Sequence, residues 1–228
     1  MKITFRVCVC FGALLLVSCG GLGIPGGNST TSGGPNSTTS AAPVQASGDP
    51  RQDVKKALTA MFAAKSFRAR LTTTTGNVMD MEFVAPDRFH TKGQSQSEGQ
   101  PPAREMIIIG KDTFVRLGNM EWRQVPAGMG LGETVQQFRP DVTSEMMKRE
   151  DIKFIGPDVL DGSPVLVYQY KLKGEEQHLW KMWIGSSDGL PRKNESEAET
   201  DSEGKPIKTR MNVIYYDYNT NIKIEPPV

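Results

Sequence analysis

The sequence contains few cysteines, few histidines and no excess of charge of either sign. Its 228 residues include 3 cysteines, 2 histidines, 27 basic and 26 acidic residues. A nearly neutral chain with scattered charges lacks the concentrated basic surface by which proteins bind nucleic acid or anionic membrane surfaces. The two histidines, His90 and His178, lie far apart in the sequence, and no set of residues has the spacing of a zinc site, a calcium loop or a phosphate-binding loop. We therefore expect a protein that is not an enzyme and that needs no metal ion or cofactor.

The sequence also lacks an apolar run long enough to cross a membrane, which takes roughly 20 residues in a helix. Its most apolar segment has only 12 residues between Arg6 and Cys19, and Lys2 and Arg6 give it a positive start. This layout is typical of a cleaved signal peptide. Residues 16–19, Leu-Val-Ser-Cys, resemble the bacterial lipobox, in which a diacylglycerol is attached to the cysteine thiol and the chain is cleaved just before it. The resemblance predicts a lipoprotein signal peptide at 1–18 and a lipid anchor at Cys19; the alternative is an ordinary signal peptide that ends near a cysteine.

Cleavage before Cys19 would remove the other two cysteines, so the mature chain could not form an internal disulfide bond. It would also remove 2 of the 27 basic residues, which changes the net charge from +1 to −1. Residues 20–48 carry no charged and no aromatic side chain and consist mainly of glycine, serine, threonine and proline. Such a segment buries too little apolar surface to fold and behaves as a flexible linker with a span on the order of 30 Å. We expect residues 19–48 to be a lipidated tether and residues 49–228 to be one folded domain.

The folded domain is predicted to begin with a helix. Asp49 is a favourable N-cap residue, and Pro50 fits the first helical turn. Apolar residues then recur with helical spacing up to about Lys65. They are Val54, Ala57, Leu58, Met61 and Phe62. This spacing predicts a helix at residues 50–65 with one apolar stripe.

After the helix, apolar residues alternate with polar ones, which indicates β-strands. Alternating segments separated by short turns occur between residues 67 and 125 and again between 152 and 216. Because short connections require antiparallel neighbours, we predict an α+β fold with one curved antiparallel sheet of about eleven strands, a half-open β-barrel. The segment 126–150 interrupts this pattern, with helical patches predicted at 132–138 and 143–149. We expect it to form a short helical lid on the concave face of the sheet.

Methionine is frequent, with 11 residues in the chain, and many methionines fall on strand positions that are predicted to share one face. These are Met79, Met81, Met106, Met120, Met182 and Met211. Methionine suits surfaces that adapt to variable apolar partners, which suggests a set of candidate lipid-binding residues. They are Met81, Phe83, Trp122, Trp180 and Met182 on the sheet and Met129, Leu131, Phe138, Met146 and Met147 on the lid. The alternative is that these side chains form an ordinary hydrophobic core.

Two segments in the second half of the chain carry a resemblance to a known family. Segment 182–193, MWIGSSDGLPRK, has a strand, an Asp-Gly turn and a return strand, and segment 215–227, YYDYNTNIKIEPP, ends in an extended apolar stretch with prolines. Together with the order of helix, strands and lid, they are similar to the Lol lipoprotein carrier and receptor and to the lipid-binding lipoproteins of mycobacteria. The resemblance covers residues 50–228 and implies a half-open barrel whose concave apolar face, closed by helices, holds acyl chains. Because the soluble Lol carrier has no lipid anchor, Cys19 favours the anchored members.

The resemblance implies a membrane-anchored lipoprotein that binds lipid or acylated lipoprotein in an apolar cavity and takes part in their transport or localisation in the cell envelope. The protein is expected to be monomeric, to reach the membrane through the acyl chains on Cys19, and to bind no nucleic acid. Gly20 follows the cysteine, in place of the Asp that retains enteric lipoproteins in the inner membrane, so we expect the outer membrane in a cell that has two. The alternative function is an envelope sensor that uses the same fold to bind a protein partner.

Overall fold

The structure is a computed structural model that describes residues 44–95, 103–126, 142–174, 178–202 and 205–227. The predicted signal peptide at 1–18, Cys19 and most of the tether lie outside these described residues. The first predicted helical patch of the lid, at 132–138, and the candidate residues Met129, Leu131 and Phe138 lie outside them as well. The expectations for these parts of the chain remain predictions.

Eleven strands form one curved sheet in which each strand is antiparallel to its neighbours. They are β1 Ser66–Thr73, β2 Asn77–Val84, β3 Arg88–Ser95, β4 Arg104–Ile109, β5 Asp112–Leu117, β6 Arg123–Gln124, β7 Arg149–Leu160, β8 Ser163–Leu172, β9 His178–Gly185, β10 Pro191–Ser202 and β11 Lys205–Tyr216. Across the sheet the order is β6-β5-β4-β3-β2-β1-β11-β10-β9-β8-β7. The chain therefore forms two meanders, β1–β6 and β7–β11, which β1 and β11 join side by side. The predicted α+β fold with about eleven antiparallel strands is confirmed.

Helix α1, Pro50–Phe62, precedes the sheet and begins where the sequence predicts. The carboxylate of Asp49 accepts hydrogen bonds from the N–H groups two and three residues ahead, at 3.0 and 3.1 Å. These bonds satisfy two donors that have no partner inside the helix. The helix ends at Phe62 rather than near Lys65, because the three residues after Phe62 turn the chain into β1.

A second helix, α2 at Val142–Lys148, corresponds to the second predicted patch of the lid. It packs against α1 through Met146, which is buried. Arg51 of α1 donates hydrogen bonds to the carbonyl oxygens of Met146 and Arg149, at 2.9 and 3.1 Å. Because the last carbonyl groups of a helix have no partner within it, this side chain fixes the C-terminal end of α2 to α1.

Successive strand residues point to opposite faces of the sheet, and the two faces differ in character. The face against which α1 packs, called here the inner face, carries two large clusters of buried apolar side chains, around Tyr168 and Phe83. The opposite, outer face carries charged side chains that pair across strands. The C-terminal segment crosses part of the outer face, where Ile222 and Ile224 pack against Ile107 of β4. The inner face therefore makes mainly apolar contacts, and the outer face makes mainly ion pairs.

A chain of ion pairs crosses β1 to β5 on the outer face. Arg68 binds Glu82 at 2.8 Å, and Arg116 binds Glu105. His90 lies between the two carboxylates, with its Nδ1 3.2 Å from Glu82 and its Nε2 2.8 Å from Glu105. Burial raises the pKa of both glutamates, but the hydrogen bonds from the arginines and from His90 outweigh burial, so both pKa values lie below normal. The folded state therefore stabilises the ionised carboxylates.

Replacing Glu105 by glutamine is expected to lower the free energy of unfolding at neutral pH by about 1–3 kcal/mol, because His90 and Arg116 lose a charged partner. A carboxylate with a lowered pKa stabilises the fold above its unfolded pKa, near 4.5, and this contribution is lost as the pH falls through the folded value. Urea denaturation should therefore show that the stability difference between the wild type and Glu105→Gln is smaller at pH 3 than at pH 7. As a control, Glu197→Gln breaks an exposed pair with Arg210 and should lower stability much less than Glu105→Gln, because solvent screens exposed ion pairs. A difference that persists undiminished at pH 3 would show that the charge of Glu105 does not matter.

Candidate functional site

One half of the inner face is tightly packed. Val54 and Leu58 of α1 lie in one cluster with Tyr168 of β8 and Met182 of β9, and the last two side chains are fully buried. The hydroxyl of Tyr168 donates a hydrogen bond of 2.8 Å to Asp53 of α1. Burial and this hydrogen bond raise the pKa of Tyr168. Helix α1 is thus fixed on β8 and β9, and the side chains beneath it are packed as a core.

A second cluster lies where α1 ends. Met61 packs with Phe67, Phe83 and Phe89, which are neighbours on β1, β2 and β3. The ring centroids of Phe67 and Phe83 are 5.1 Å apart, and those of Phe83 and Phe89 are 5.0 Å apart, distances at which aromatic rings attract. This phenylalanine cluster fills the inner face at one end of β1–β3.

Beyond the phenylalanine cluster, the same face carries apolar side chains that are only partly covered. The register places them side by side, since Leu71 faces Met79 on β2 and Val213 on β11. Met79 is 36% exposed and Leu117 is 44% exposed, and the remaining members have intermediate exposure. We call this set the open strip; its members are Leu71, Met79, Met81, Met106, Val115, Leu117, Met211 and Val213.

Two features of the open strip suit a flexible apolar ligand. Half of its side chains are methionines, which adapt their shape to a partner. Gly93 of β3 lies on the same face between Met79 and Arg104, and a Cβ there would have only ordinary contacts, the nearest at 3.8 Å. Packing of the described residues therefore does not require a glycine, and the missing side chain leaves room above β3. With strands about 4.8 Å apart, the strip extends over roughly 24 Å from β11 to β5.

The structure brings several sequence-predicted residues to the inner face. Met81 lies in the open strip, and Phe83 is buried beside it in the phenylalanine cluster. Met182 is fully buried in the packed half, where Trp180 is partly exposed. Met146 is buried between α2 and α1. The predicted shared face of Met81, Phe83 and Met182 is present, although Phe83 and Met182 are core residues.

Trp122 lies on the other side of the sheet. It packs against the outer-face cluster that contains Ile222 and Ile224, and the guanidinium of Arg116 lies 4.8 Å from its ring centroid. The prediction that Trp122 shares the face of Met81 was therefore wrong. The physical reason is that the C-terminal segment supplies an apolar cover for the outer face, which the strand pattern alone does not reveal.

Met147 is 67% exposed and borders a cleft of about 380 Å³ between α1 and α2. Its expected position over the sheet was wrong, because successive helix residues point about 100° apart and Met146 takes the buried position. Met120 also differs from expectation, since it is exposed in the turn after β5 and does not share the face of the strand methionines.

Four members of the open strip were not singled out by the sequence pattern. They are Leu71, Val115, Leu117 and Val213. Their alternation with polar residues identifies them as strand residues, but only the cross-strand register shows that they lie beside the methionines. The missing signal is thus the pairing of strands that are distant in sequence.

In the described part of the chain, Glu82, His90 and Glu105 lie together on the outer face, where the two carboxylates are paired with arginines. Among the described acidic, histidine and cysteine residues, no group of three or more has an arrangement that could hold a metal ion. Of the described helices, none is long and apolar enough to cross a bilayer. The inner face offers apolar contact surface, which suits binding.

Neither a protein-family model nor a curated protein sequence matches this chain. Solved structures do match it. The lipoprotein LppX of Mycobacterium tuberculosis has a TM-score of 0.57 and 12% sequence identity, over 79% of this chain and 100% of its own. LprF of Mycobacterium bovis has a TM-score of 0.57 and 13% identity, over 82% of this chain and 99% of its own. A LolA-superfamily protein of Nitrosomonas europaea has a TM-score of only 0.29 at 10% identity, over 76% of this chain and 94% of its own.

The TM-scores of LppX and LprF, over nearly the whole length of both proteins, show a shared fold. The lower score of the LolA-superfamily protein adds nothing to this conclusion. The resemblance that the sequence suggests is confirmed at the level of the fold: this chain is a half-open barrel and shares the fold of the mycobacterial lipoprotein LppX and of LprF.

Proposed function

We propose that this protein is a membrane-anchored lipoprotein whose domain binds the acyl chains of a lipid or of an acylated lipoprotein on the open strip. In this function it takes part in the transport or localisation of these ligands in the cell envelope. The observation that carries the proposal is the open strip itself. Its apolar side chains are partly exposed and lie on neighbouring strands on both sides of β3, which contributes Thr91 and Gly93, on the same face whose other half is packed as a core. Exposed apolar surface of this kind marks binding sites.

The free energy of burying an acyl chain is compatible with a lipid carrier. Removing an acyl chain from water is worth about 0.8 kcal/mol per methylene, which is on the order of 12 kcal/mol for a sixteen-carbon chain such as palmitate. A bilayer provides nearly the same free energy. An acyl chain therefore exchanges between membrane and open strip with a small net change, and no activated side chain is needed.

The anchor and the tether complete the proposal. Acylation of Cys19 would hold the domain at the membrane, and residues 20–48 would let it move within roughly 30 Å of the attachment point. In a cell with two membranes this is the outer membrane, and the domain acts as a monomer. The fold shared with the lipoprotein LppX supports a place in the cell envelope.

Native mass spectrometry of the purified protein tests the proposed function. The chain from Gly20 onward, which lacks the acylated cysteine, is purified from bacterial cells and measured under native and denaturing conditions. We expect additional mass of the size of a membrane lipid in the native spectrum only, and the same lipid in an organic extract of the protein. Identical native and denatured masses, also after incubation with lipid vesicles, would refute the proposal.

A second candidate function, an envelope sensor that binds a protein partner, is favoured by β7, which pairs only with β8 among the described strands and so forms an edge of the sheet. Three apolar side chains of the last strand, β7, are exposed: Phe154, Ile155 and Val159. An edge strand can pair with a strand of another protein, but Pro157 and the register shifts within β7 restrict such pairing. This function predicts a lipid-free inner face, so the native mass spectrum separates it from the first.

A further inference from the structure

A stack of three side chains crosses the packed half of the inner face. Tyr170 of β8 and Trp180 of β9 are cross-strand partners, and their rings are nearly parallel, with centroids 6.4 Å apart. The guanidinium of Arg149, at the start of β7, lies 5.1 Å from the centroid of the Tyr170 ring. Arg149 is buried, and its Nη1 binds the carboxylate of Glu145 in α2 at 2.8 Å. The guanidinium of the buried, ion-paired Arg149 therefore stacks on Tyr170, and the ring of Tyr170 stacks on Trp180.

Three polar atoms of this region are buried without a hydrogen-bond partner: Nε of Arg149, Nε1 of Trp180 and Oδ1 of Asn194. We call these three residues the polar end. Asn194 uses its other amide atom, Nδ2, to reach the hydroxyl of Tyr215 at 3.2 Å, so one end of the amide is unpaired in either orientation of the group. Buried polar atoms without partners are costly and rare. Three of them close together in the described part of the chain leave hydrogen-bonding groups free for a ligand.

The phenol of Tyr215 lies next to these residues, because its hydroxyl is the hydrogen-bond partner of Asn194. Burial raises the pKa of Tyr215 to about 12, and the hydrogen bond with Asn194 acts in the opposite direction. The charges of Arg149 and Glu145, together with Tyr170, also act on this hydroxyl. The strand register adds Trp180 to this group, because Asn194 pairs with Met182, which lies two residues from Trp180 on the same face of β9.

The polar end borders the open strip. On the inner face Asn194 of β10 faces Val213 of β11, and Ser196 faces Met211. Val213 and Met211 are the members of the open strip on the strand next to β10. The ring of Trp180 is partly exposed although its Nε1 atom is buried. A ligand on the open strip can therefore reach the polar end.

The chemistry of the free groups selects the kind of ligand. The unpaired groups are the N–H donors of Arg149 and Trp180 and one end of the Asn194 amide. The charge of Arg149 is already paired with Glu145. A phosphate brings net charge and offers mainly acceptors, whereas hydroxyl groups both donate and accept. We propose that the polar end binds the neutral polyhydroxyl headgroup of a lipid whose acyl chain lies on the open strip. This inference rests on the proposed function, because the open strip holds the acyl chain.

The variant Trp180→Phe removes the free N–H donor and keeps an aromatic ring in the stack. Binding to the mature protein is compared for three ligands with the same fluorescent acyl chain: a monoacylglycerol, a lysophosphatidic acid and a fatty-acid methyl ester. We expect Trp180→Phe to weaken monoacylglycerol binding about five- to tenfold and to leave methyl-ester binding unchanged. The matched control is Asn212→Ala, because the Oδ1 of Asn212 is also buried and unpaired but the residue lies on the outer face. This control should change neither affinity.

The outcomes separate the polar end from the open strip. An equal loss for monoacylglycerol and methyl ester, or no loss for monoacylglycerol (as when buried water occupies the site), overturns the inference. A loss confined to lysophosphatidic acid overturns the neutral ligand class. If the wild-type protein binds the methyl ester but does not prefer monoacylglycerol, only the polar end is refuted. If it binds none of the three ligands, the proposed function fails and the inference fails with it. The ligand-free midpoint of Trp180→Phe should not fall, because the removed donor has no partner.

Discussion

Met81→Glu is expected to weaken the binding of fatty-acyl ligands at least about a hundredfold while the domain remains folded. Met81 lies in the open strip and is partly exposed, so the new carboxylate reaches water in the ligand-free protein. In the bound state it would lie against hydrocarbon, which costs several kcal/mol unless it takes up a proton. About 1.4 kcal/mol corresponds to a tenfold change in affinity. A fluorescent fatty-acyl probe measures the affinity, and urea denaturation measures the stability of the same variant.

Gly93→Val tests acyl binding on the open strip without introducing a charge. A Cβ at this position meets its nearest neighbour at 3.8 Å, so the backbone leaves space for a β-carbon, and the strand propensity of valine should maintain or raise stability. If an acyl chain crosses β3 at this position, the added side chain should lower the affinity for the probe about tenfold. Weaker binding by a protein of equal or higher stability cannot result from unfolding.

Two control variants distinguish a loss of ligand binding from a loss of stability. Met147→Glu introduces the same carboxylate at an exposed position away from the open strip, and both affinity and midpoint should stay near wild type. Met182→Ala truncates a fully buried side chain and should cost about 2–5 kcal/mol of stability. If Met81→Glu binds the probe like wild type, or unfolds as readily as Met182→Ala, the open strip is not an acyl-binding surface.

Cys19→Ser is expected to give a precursor that is not acylated and not cleaved before residue 19. The reason is the resemblance of residues 16–19 to a lipobox, in which the thiol carries the diacylglycerol. Intact mass and incorporation of labelled palmitate should change from complete modification in the wild type to none in the variant. Cys10→Ser, inside the predicted signal peptide, is the matched control and should be processed normally. A Cys19→Ser protein that is still cleaved at the same bond would show that residues 1–18 are an ordinary signal peptide.

The helix and the number of strands could be predicted because they depend on local patterns. Asp49 and Pro50 mark the start of α1 through capping chemistry that involves only neighbouring residues. The alternation of apolar and polar residues, with short turns, indicates antiparallel strands before any contact is known. The structure confirms both features.

The positions of individual site residues depend on contacts between distant parts of the chain. Ala69 of β1 pairs with Tyr215 of β11, and this pairing brings the two meanders and the two sides of the open strip together. Trp122 lies on the outer face because the C-terminal segment provides apolar partners there. Periodicity could not show these contacts, since it reports which residues share a face of one strand but not which strands are neighbours.

The position of a bound acyl chain tests the central claim most directly. A fatty acid with a photoreactive diazirine near the middle of its chain is bound to the protein and activated by light, and the attachment sites are mapped by peptide mass spectrometry. We expect attachment to inner-face residues of the open strip, above all Met79, Met81 and Met106, and loss of attachment when unlabelled fatty acid is added in excess. Attachment confined to the outer face or to β7, or labelling that the competitor does not reduce, would contradict acyl binding on the open strip.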